Sequence, residues 1–338
     1  MTIAVTGATG FLGSSLVAAL IQQQQSVRVL ARDEQKARHL FGDAVTIIPG
    51  DVTNAGQVQQ AVDGATTIYH LAGRLYHPSI QAELYEQTHV EGTRALLKAC
   101  QGQKQLQRLV CVSTTGVFGV TGETAVAEDA PFAPTNAYEA TKLKGELLAL
   151  KSYQEDRLPV TIVRPGLVYG PGDLHLLGFF ASIQKGLFRV IAGGEAFLHP
   201  VYIDDLIAAL LLCAERPQAL GRSYNIAGAQ PVTVRELAAA IAQTLDRTLP
   251  AGNIPLWLAN LASDAFAVVP GMQGEHAPLT RSRVNFLTNS RVYDISRAKS
   301  ELKYIPLVAL EEGIKRTAEW YYSQGYLVHS SRKGKYAE

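Results

Sequence analysis

The chain has 338 residues, 47% of them apolar and 18% charged, with a formal net charge of +1. This is an ordinary globular composition, long enough for one large domain or for two that share a core. It excludes a disordered chain and a global field that would draw in nucleic acid or an anionic membrane. Three scattered cysteines (Cys100, Cys111, Cys213) are too few for a disulfide framework or a zinc site and read as core residues of a reducing, cytoplasmic environment. No metal site is expected. The chain enters a strand at once, leaving no room for a signal peptide. The most apolar run, 254–269, is broken by Pro255, Asn260, Ser263 and Asp264, so no stable membrane insertion is expected.

Thr2 to Thr6 is a short apolar run ending in glycine, and helical periodicity starts at Phe11 with Leu12, Leu16 and Leu20. That pattern is strand, tight turn, helix. Gly7, Gly10 and Gly13 in between suit a pyrophosphate, which can approach backbone only where side chains are missing and which the helix N-terminus then attracts. Val27 to Ala31 is the second strand, and its end should carry the group that meets an adenosine ribose. Arg32 stands there, with Lys36 and Arg38 after it. A cation favours a 2′-phosphate and hence NADP; Asp33 beside it keeps NAD open.

Val45 to Ile48 forms a third strand, and Asp51 after it would meet the adenine amino group or cap the following turn. Thr67 to Ala72 is a fourth strand, leading to small residues at Leu71-Ala72-Gly73. A helix around Tyr85 to Ala99 and a strand Leu109 to Ser113 follow. Ala137-Tyr138-Glu139-Ala140-Thr141-Lys142 opens a further helix to about Gln154 and sets a phenol and an ammonium one turn apart on one face. The ammonium should favour the phenolate and lower its pKa toward neutrality, giving a group that moves a proton while a hydride moves elsewhere. Val160 to Val163 is another strand.

Strands alternating with helices predict an α/β fold, a doubly wound parallel sheet of Rossmann type with ligand at the strands' carboxyl ends. Past residue 165 the strict alternation lapses. Residues 1–165, with 195–230 returning to them, read as a dinucleotide-binding domain. Residues 166–194 and 231–330 read as a smaller, mostly C-terminal substrate lobe, and 331–338 as a flexible basic tail.

Taken together, TGATGFLG at 6–13, HLAG at 70–73, VEGT at 90–93, STTGVFG at 113–119, YEATK at 138–142, RPGLVYGPG at 164–172, HPVYIDDL at 199–206 and YNIAG at 224–228 resemble an extended short-chain dehydrogenase/reductase. This family also holds nucleotide-sugar epimerases and dehydratases. The resemblance implies that Tyr138 is the catalytic acid–base and that Lys142 binds the nicotinamide ribose and tunes Tyr138. Counting back from Gly119, the substrate-binding hydroxyl falls on Thr114, not Ser113. Cofactor contacts are implied at Gly7, Thr9, Gly10, Phe11, Leu12, Gly13, Arg32, Asp51, Val52, Leu71, Ala72, Gly73, Tyr138, Lys142, Pro165 and Val168. His89 replaces the family's usual asparagine before V-x-G-T, either as a group titrating near neutrality or as polar filler, the latter favoured.

The departures point to a branch. Nucleotide-sugar enzymes usually carry an asparagine where this chain has Leu167 and an arginine where it has Leu198. Losing two such contacts to a diphosphate costs about 1.5–3 kcal/mol each. Dehydratases need an acid pair where this chain has Thr115 and Gly116. What remains resembles the branch of 3β-hydroxysteroid dehydrogenases and dihydroflavonol reductases, which act on carbonyls or secondary alcohols of apolar molecules. Phe179, Phe180, Phe188, Trp257, Leu258, Phe266 and Val268 would offer an apolar wall or simply the lobe's core, and Arg281 and Arg283 possible anion contacts. The reading is an NAD(P)-dependent oxidoreductase of a largely apolar small molecule. The alternatives are a nucleotide-sugar 4-epimerase with tightly bound NAD and a non-catalytic NAD(P)-binding sensor. By family analogy a homodimer is expected, paired through the helices around Tyr85–Ala99 and Tyr138–Gln154.

Overall fold

A computed structural model describes residues 2–77, 79–268 and 279–328. The basic tail and the side chain of Val268 lie outside the described residues. Seven strands form one parallel sheet: β1 (Thr2–Thr6), β2 (Ser26–Ala31), β3 (Val45–Pro49), β4 (Thr67–His70), β5 (Arg108–Val112), β6 (Val160–Pro165) and β7 (Ser223–Ile226). Their spatial order is β7-β6-β5-β4-β1-β2-β3, so the chain winds outward from β1 in one direction and then resumes at β4 in the other. That reversal opens a crevice at the carboxyl ends of β1 and β4, where a parallel sheet of this kind takes its ligand.

The helices are α1 (Phe11–Gln22), α2 (Glu34–Phe41), α3 (Ala55–Val62), α4 (Ala82–Tyr85 running through a π turn at Glu86–Glu91 into Gly92–Cys100), α5 (Ala137–Asp156), α6 (Leu177–Gln184), α7 (Ile203–Glu215), α8 (Val234–Thr244), α9 (Leu256–Val268), α10 (Arg281–Thr288) and α11 (Leu310–Ser323). Alternation along β1 divides the core. Ile3 and Val5 face α1 and α7, whereas Ala4 faces the layer of α3, α4 and α5. Both faces are covered, and the central strands β1, β4 and β5 are accordingly buried along most of their length, with no exposed alternate residues.

The first of these clusters continues unbroken into Phe180 of α6, Leu237 of α8 and Tyr321 of α11. The residues read as the smaller substrate lobe thus share a core cluster with the sheet. Phe180 and Phe188 are buried, Phe180 edge-on to Tyr321 at 5.0 Å, so these two rings are core rather than pocket wall. Trp257 and Leu258 face solvent. Arg281 is held by both oxygens of Asp264, at 2.7 and 2.6 Å. Among the described residues no helix is long and apolar enough to cross a membrane.

Candidate active site

The crevice is built on glycine geometry. Gly7 has φ +72°, and a Cβ there would sit 2.6 Å from the backbone nitrogen of Ala72, while a Cβ on Gly13 would meet the Gly7 carbonyl oxygen at 2.1 Å. The turn after β1 is thus pressed against the loop after β4 and against the first turn of α1. Gly10, the N-cap of α1, offers no side-chain cap, which leaves the first N–H groups of the helix for an anion. Replacing Gly7 by alanine combines a left-handed conformation with backbone overlap. It is expected to cost more than the about 1–2 kcal/mol of the conformation alone, read as a fall in the denaturant midpoint.

At the end of β2, Arg32 is exposed, its Nε 3.8 Å from Asp51 Oδ2. Asp33 does not face the same way; its carboxylate caps α2 by accepting from Lys36 N at 2.9 Å. Arg38 is engaged by Glu34 at 2.6 Å. Asp51 accepts from Thr53 N and Thr53 Oγ1, so it does cap its turn. Burial works to raise its pKa, but those bonds and the charges of Arg32 and Arg74 outweigh burial and lower it. Val52 turns its side chain into the core, against the position where Gly92 lacks a Cβ. Gly172 packs on the ring of Phe11, where a Cβ would lie at 3.1 Å, so the loop after the short strand Leu167–Tyr169 (Val168 half-buried within it) leans over the start of α1.

Tyr138 stands in the first turn of α5. Asn136 caps that turn, and Glu139 ties it to Thr135 through two bonds of 2.7 Å. Gly116 packs so closely on Glu139 that a Cβ would lie 2.9 Å from its Cγ. This contact brings the loop after β5 onto α5 and sets the Thr114 hydroxyl where it acts to lower the pKa of Tyr138. It also leaves no room for an acid at 116, while Thr115 points inward, its hydroxyl donating to the Pro165 carbonyl at 3.0 Å. Thr114 Oγ1 in addition accepts from Gly116 N at 3.0 Å. Ser113 turns the other way, buried without a protein hydrogen-bond partner. It lines a cavity of about 20 Å³ with His70, His89, Thr93 and Lys142, room for one water.

The relation of Tyr138 to Lys142 differs from the expected one. Lys142 Nζ donates to the Val112 carbonyl at 2.5 Å rather than to the phenol. Desolvation lowers the lysine to about 8 and pushes the tyrosine up to about 12, with the Thr114 hydrogen bond opposing that rise. In the free protein burial therefore favours the protonated phenol of Tyr138 over the phenolate.

Of the two readings of His89, the structure removes titration near neutrality. Buried among aromatic rings and beside Lys142, the imidazole is lowered to about 3, chiefly by desolvation. Nothing in its local sequence announces its partners, Arg74 N and Thr141 Oγ1, since both are distant along the chain. The other group that local pattern did not reveal is Arg164, buried at the end of β6 against Glu146 of α5.

Residues 3–227 match the model of the NAD dependent epimerase/dehydratase family. The chain belongs to that family. It is 31% identical to a 3beta-hydroxysteroid-dehydrogenase/decarboxylase, isoform 1, of Arabidopsis thaliana, the match covering 93% of this chain and 78% of that protein. It is 29% identical to a 2-alkyl-3-oxoalkanoate reductase of Shewanella oneidensis, covering 92% and 84%. Among solved structures it superposes on UDP-glucuronic acid 4-epimerase from Bacillus cereus, determined with NAD, at a TM-score of 0.78 and 22% identity, covering 97% and 100% of the two chains. The match at that identity speaks for the fold. This enzyme of the epimerase/dehydratase family thus carries the nicotinamide-binding architecture, and its glycine cradle and uncapped α1 fit a dinucleotide pyrophosphate.

Proposed function

We propose that this enzyme is an NADP-preferring oxidoreductase that reduces a ketone or aldehyde of a largely apolar small molecule, or oxidises the matching secondary alcohol. The observation that carries the reading is the packing of the loop after β5 on α5, Gly116 against Glu139, which sets Thr114 by the turn that carries Tyr138, in a chain that has apolar Leu167 and Leu198 where nucleotide-sugar enzymes usually carry polar partners for a diphosphate. Leu198 is buried in the short strand Phe197–Leu198, and Arg281 is already engaged by Asp264. The named relatives, a steroid dehydrogenase and an oxoalkanoate reductase, act on substrates of this kind.

Gly7, Thr9, Gly10, Phe11, Leu12 and Gly13 would hold the pyrophosphate; Leu71, Ala72, Gly73, Pro165 and Val168 would line the rest of the crevice. The cofactor, when bound, supplies or accepts the hydride. In reduction Tyr138 gives its proton to the carbonyl oxygen, Thr114 hydrogen-bonds the same oxygen, and the Lys142 cation stabilises the phenolate left behind. Oxidation reverses these roles. Arg32 supports NADP: it is exposed at the end of β2, where a ribose would lie, while the Asp33 carboxylate beside it caps α2.

Titration of NADPH and NADH, followed by nicotinamide fluorescence, tests this. NADPH should bind at least about tenfold tighter (about 1.4 kcal/mol), and Arg32→Ala should remove most of that advantage without weakening NADH. Equal affinities would remove the NADP assignment, and NAD that co-purifies and turns over with nucleotide sugars would replace the reductase with an epimerase. Three cysteines, all free and buried, suit a cytoplasmic protein, and exposed Leu84, Leu147 and Tyr153 on α4 and α5 suit pairing of two copies through those helices.

A further inference from the structure

We infer that His89 is a positioning residue: a neutral imidazole, protonated on Nδ1, that latches the cofactor-side loop after β4 to the helix carrying Tyr138 and Lys142. The inference rests on the oxidoreductase reading for its kinetic consequences only. Its structural content stands on three groups that meet at one ring.

Arg74 N donates to His89 Nε2 at 3.0 Å. Arg74 directly follows Leu71-Ala72-Gly73, the loop pressed against Gly7, and a Cβ on Gly73 would lie 3.5 Å from the same Nε2. On the other side, His89 Nδ1 lies 2.9 Å from Thr141 Oγ1. The Thr141 hydroxyl has one proton, which it gives to the carbonyl of Ala137 at 2.7 Å, with that of Tyr138 at 3.1 Å. It therefore accepts from His89, and Nδ1 must carry the hydrogen. Nε2 is then the bare nitrogen that Arg74 N–H requires. Both ends of the ring demand the same tautomer.

The ring also fixes Tyr138 directly. Its edge meets the Tyr138 ring at 5.6 Å and 77°, and Tyr85 closes the group at 5.5 Å from His89 and 6.0 Å from Tyr138. His89 lies in the π turn of α4, and its backbone carbonyl accepts from Thr93 Oγ1 at 2.6 Å. The titratable and charged groups that face it are His70 on β4, Arg74 on the loop, Tyr138 and Lys142 on α5 and Tyr85 on its own helix. Glu146, which lines the same small cavity, is engaged by Arg164. Protonating Nε2 would set two donors, it and Arg74 N–H, against each other, so the latch works only in the neutral form.

Two substitutions separate its ends. Asparagine reproduces the Nδ1 donor but is too short to reach Arg74; glutamine reproduces the Nε2 acceptor but not the Nδ1 donor. His89→Asn should loosen the cofactor-side loop and raise the Kd for NADPH about tenfold with a smaller change in kcat. His89→Gln should free the Thr141 side of α5 and lower kcat about tenfold while leaving NADPH affinity near wild type. Nitrogen-15 NMR of the full chain, with His89 assigned by the signal lost in the asparagine variant, should show an Nδ1–H tautomer that does not titrate from about pH 8 to pH 5. The Arg74 amide should be protected from exchange in wild type and not in His89→Asn. An Nε2–H tautomer, a ring titrating near pH 6, or variants that lose only thermal stability with kcat and Kd unchanged would overturn the latch. Should no carbonyl substrate turn over, the oxidoreductase reading fails, while tautomer, amide protection and the binding split still decide the role of His89.

Discussion

Replacing Tyr138 by phenylalanine is expected to lower kcat for carbonyl reduction about 10²–10⁴-fold and to leave NADPH affinity unchanged. The ring of phenylalanine keeps the packing against His89 and Tyr85 and removes only the hydroxyl. Stopped-flow reduction and fluorescence titration on the same preparation check both halves, and full activity in the variant would remove Tyr138 from the mechanism. The direction of the tyrosine's pKa adds a second signature. Because burial raises the phenol to about 12, its proton is in place throughout the neutral range, so reduction by the wild type should vary little with pH there. Oxidation requires the phenol to give up that proton first. Its kcat/KM should therefore rise with pH from about pH 6 and flatten above about pH 8, where Lys142, itself drawn down to about 8, loses the charge that stabilises the phenolate. A variant lacking the hydroxyl should lose both the rate and this slope.

Much of the scaffold was legible because it depends on short-range chemistry. Each central strand is a short apolar run, and β1 and α1 have the bounds that the glycine turn and the Leu12, Leu16, Leu20 spacing imply. Thr114 and Ser113 part company because adjacent residues leaving a strand point to opposite sides: Ser113 is buried over the small cavity, while Thr114 caps the turn that follows. What was not legible depends on contacts that only the topology creates. Periodicity marks Phe180 and Phe188 as apolar but cannot tell a wall from a core; Phe180 is buried against Tyr321 of α11 and Phe188 against Phe179. The Tyr-x-x-x-Lys spacing places two side chains on one face, yet it cannot show that the Val112 carbonyl competes for the ammonium. Asp33 reads as an acid that keeps NAD open until α2 is seen to start at Glu34 with Asp33 as its cap. His89 binds Thr141, a residue 52 positions away, and no local signal marks that pair.

Arg164 and Glu146 are the most consequential of these long-range pairs. Both side chains are essentially excluded from solvent, at 2% and 0% exposure. Arg164 Nε donates to both Glu146 oxygens, at 3.0 and 3.2 Å, its Nη2 donates to Oε1 as well, and its Nη1 donates to the Glu128 carbonyl at 2.8 Å. The rings of Phe118 and Phe132 lie 5.0 and 5.2 Å from the guanidinium carbon. Glu128 continues the network by accepting from Asn225 N at 3.0 Å, so the group ties α5 to β6 and β7. Glu146→Leu leaves a buried guanidinium without its counter-charge and is expected to cost about 3–5 kcal/mol. Against a total stability of about 5–15 kcal/mol, that should shift the urea midpoint sharply downward. Replacing the pair together, Arg164→Met with Glu146→Leu, removes the stranded charge and should recover most of the loss, because desolvating both ions offsets much of what their attraction contributes. If the double variant is as unstable as the single one, the pair contributes through shape and the Glu128 link rather than through charge. Since α5 also carries Tyr138 and Lys142, the single variant should lose turnover at temperatures below its unfolding transition, when α5 is no longer held at the sheet's edge.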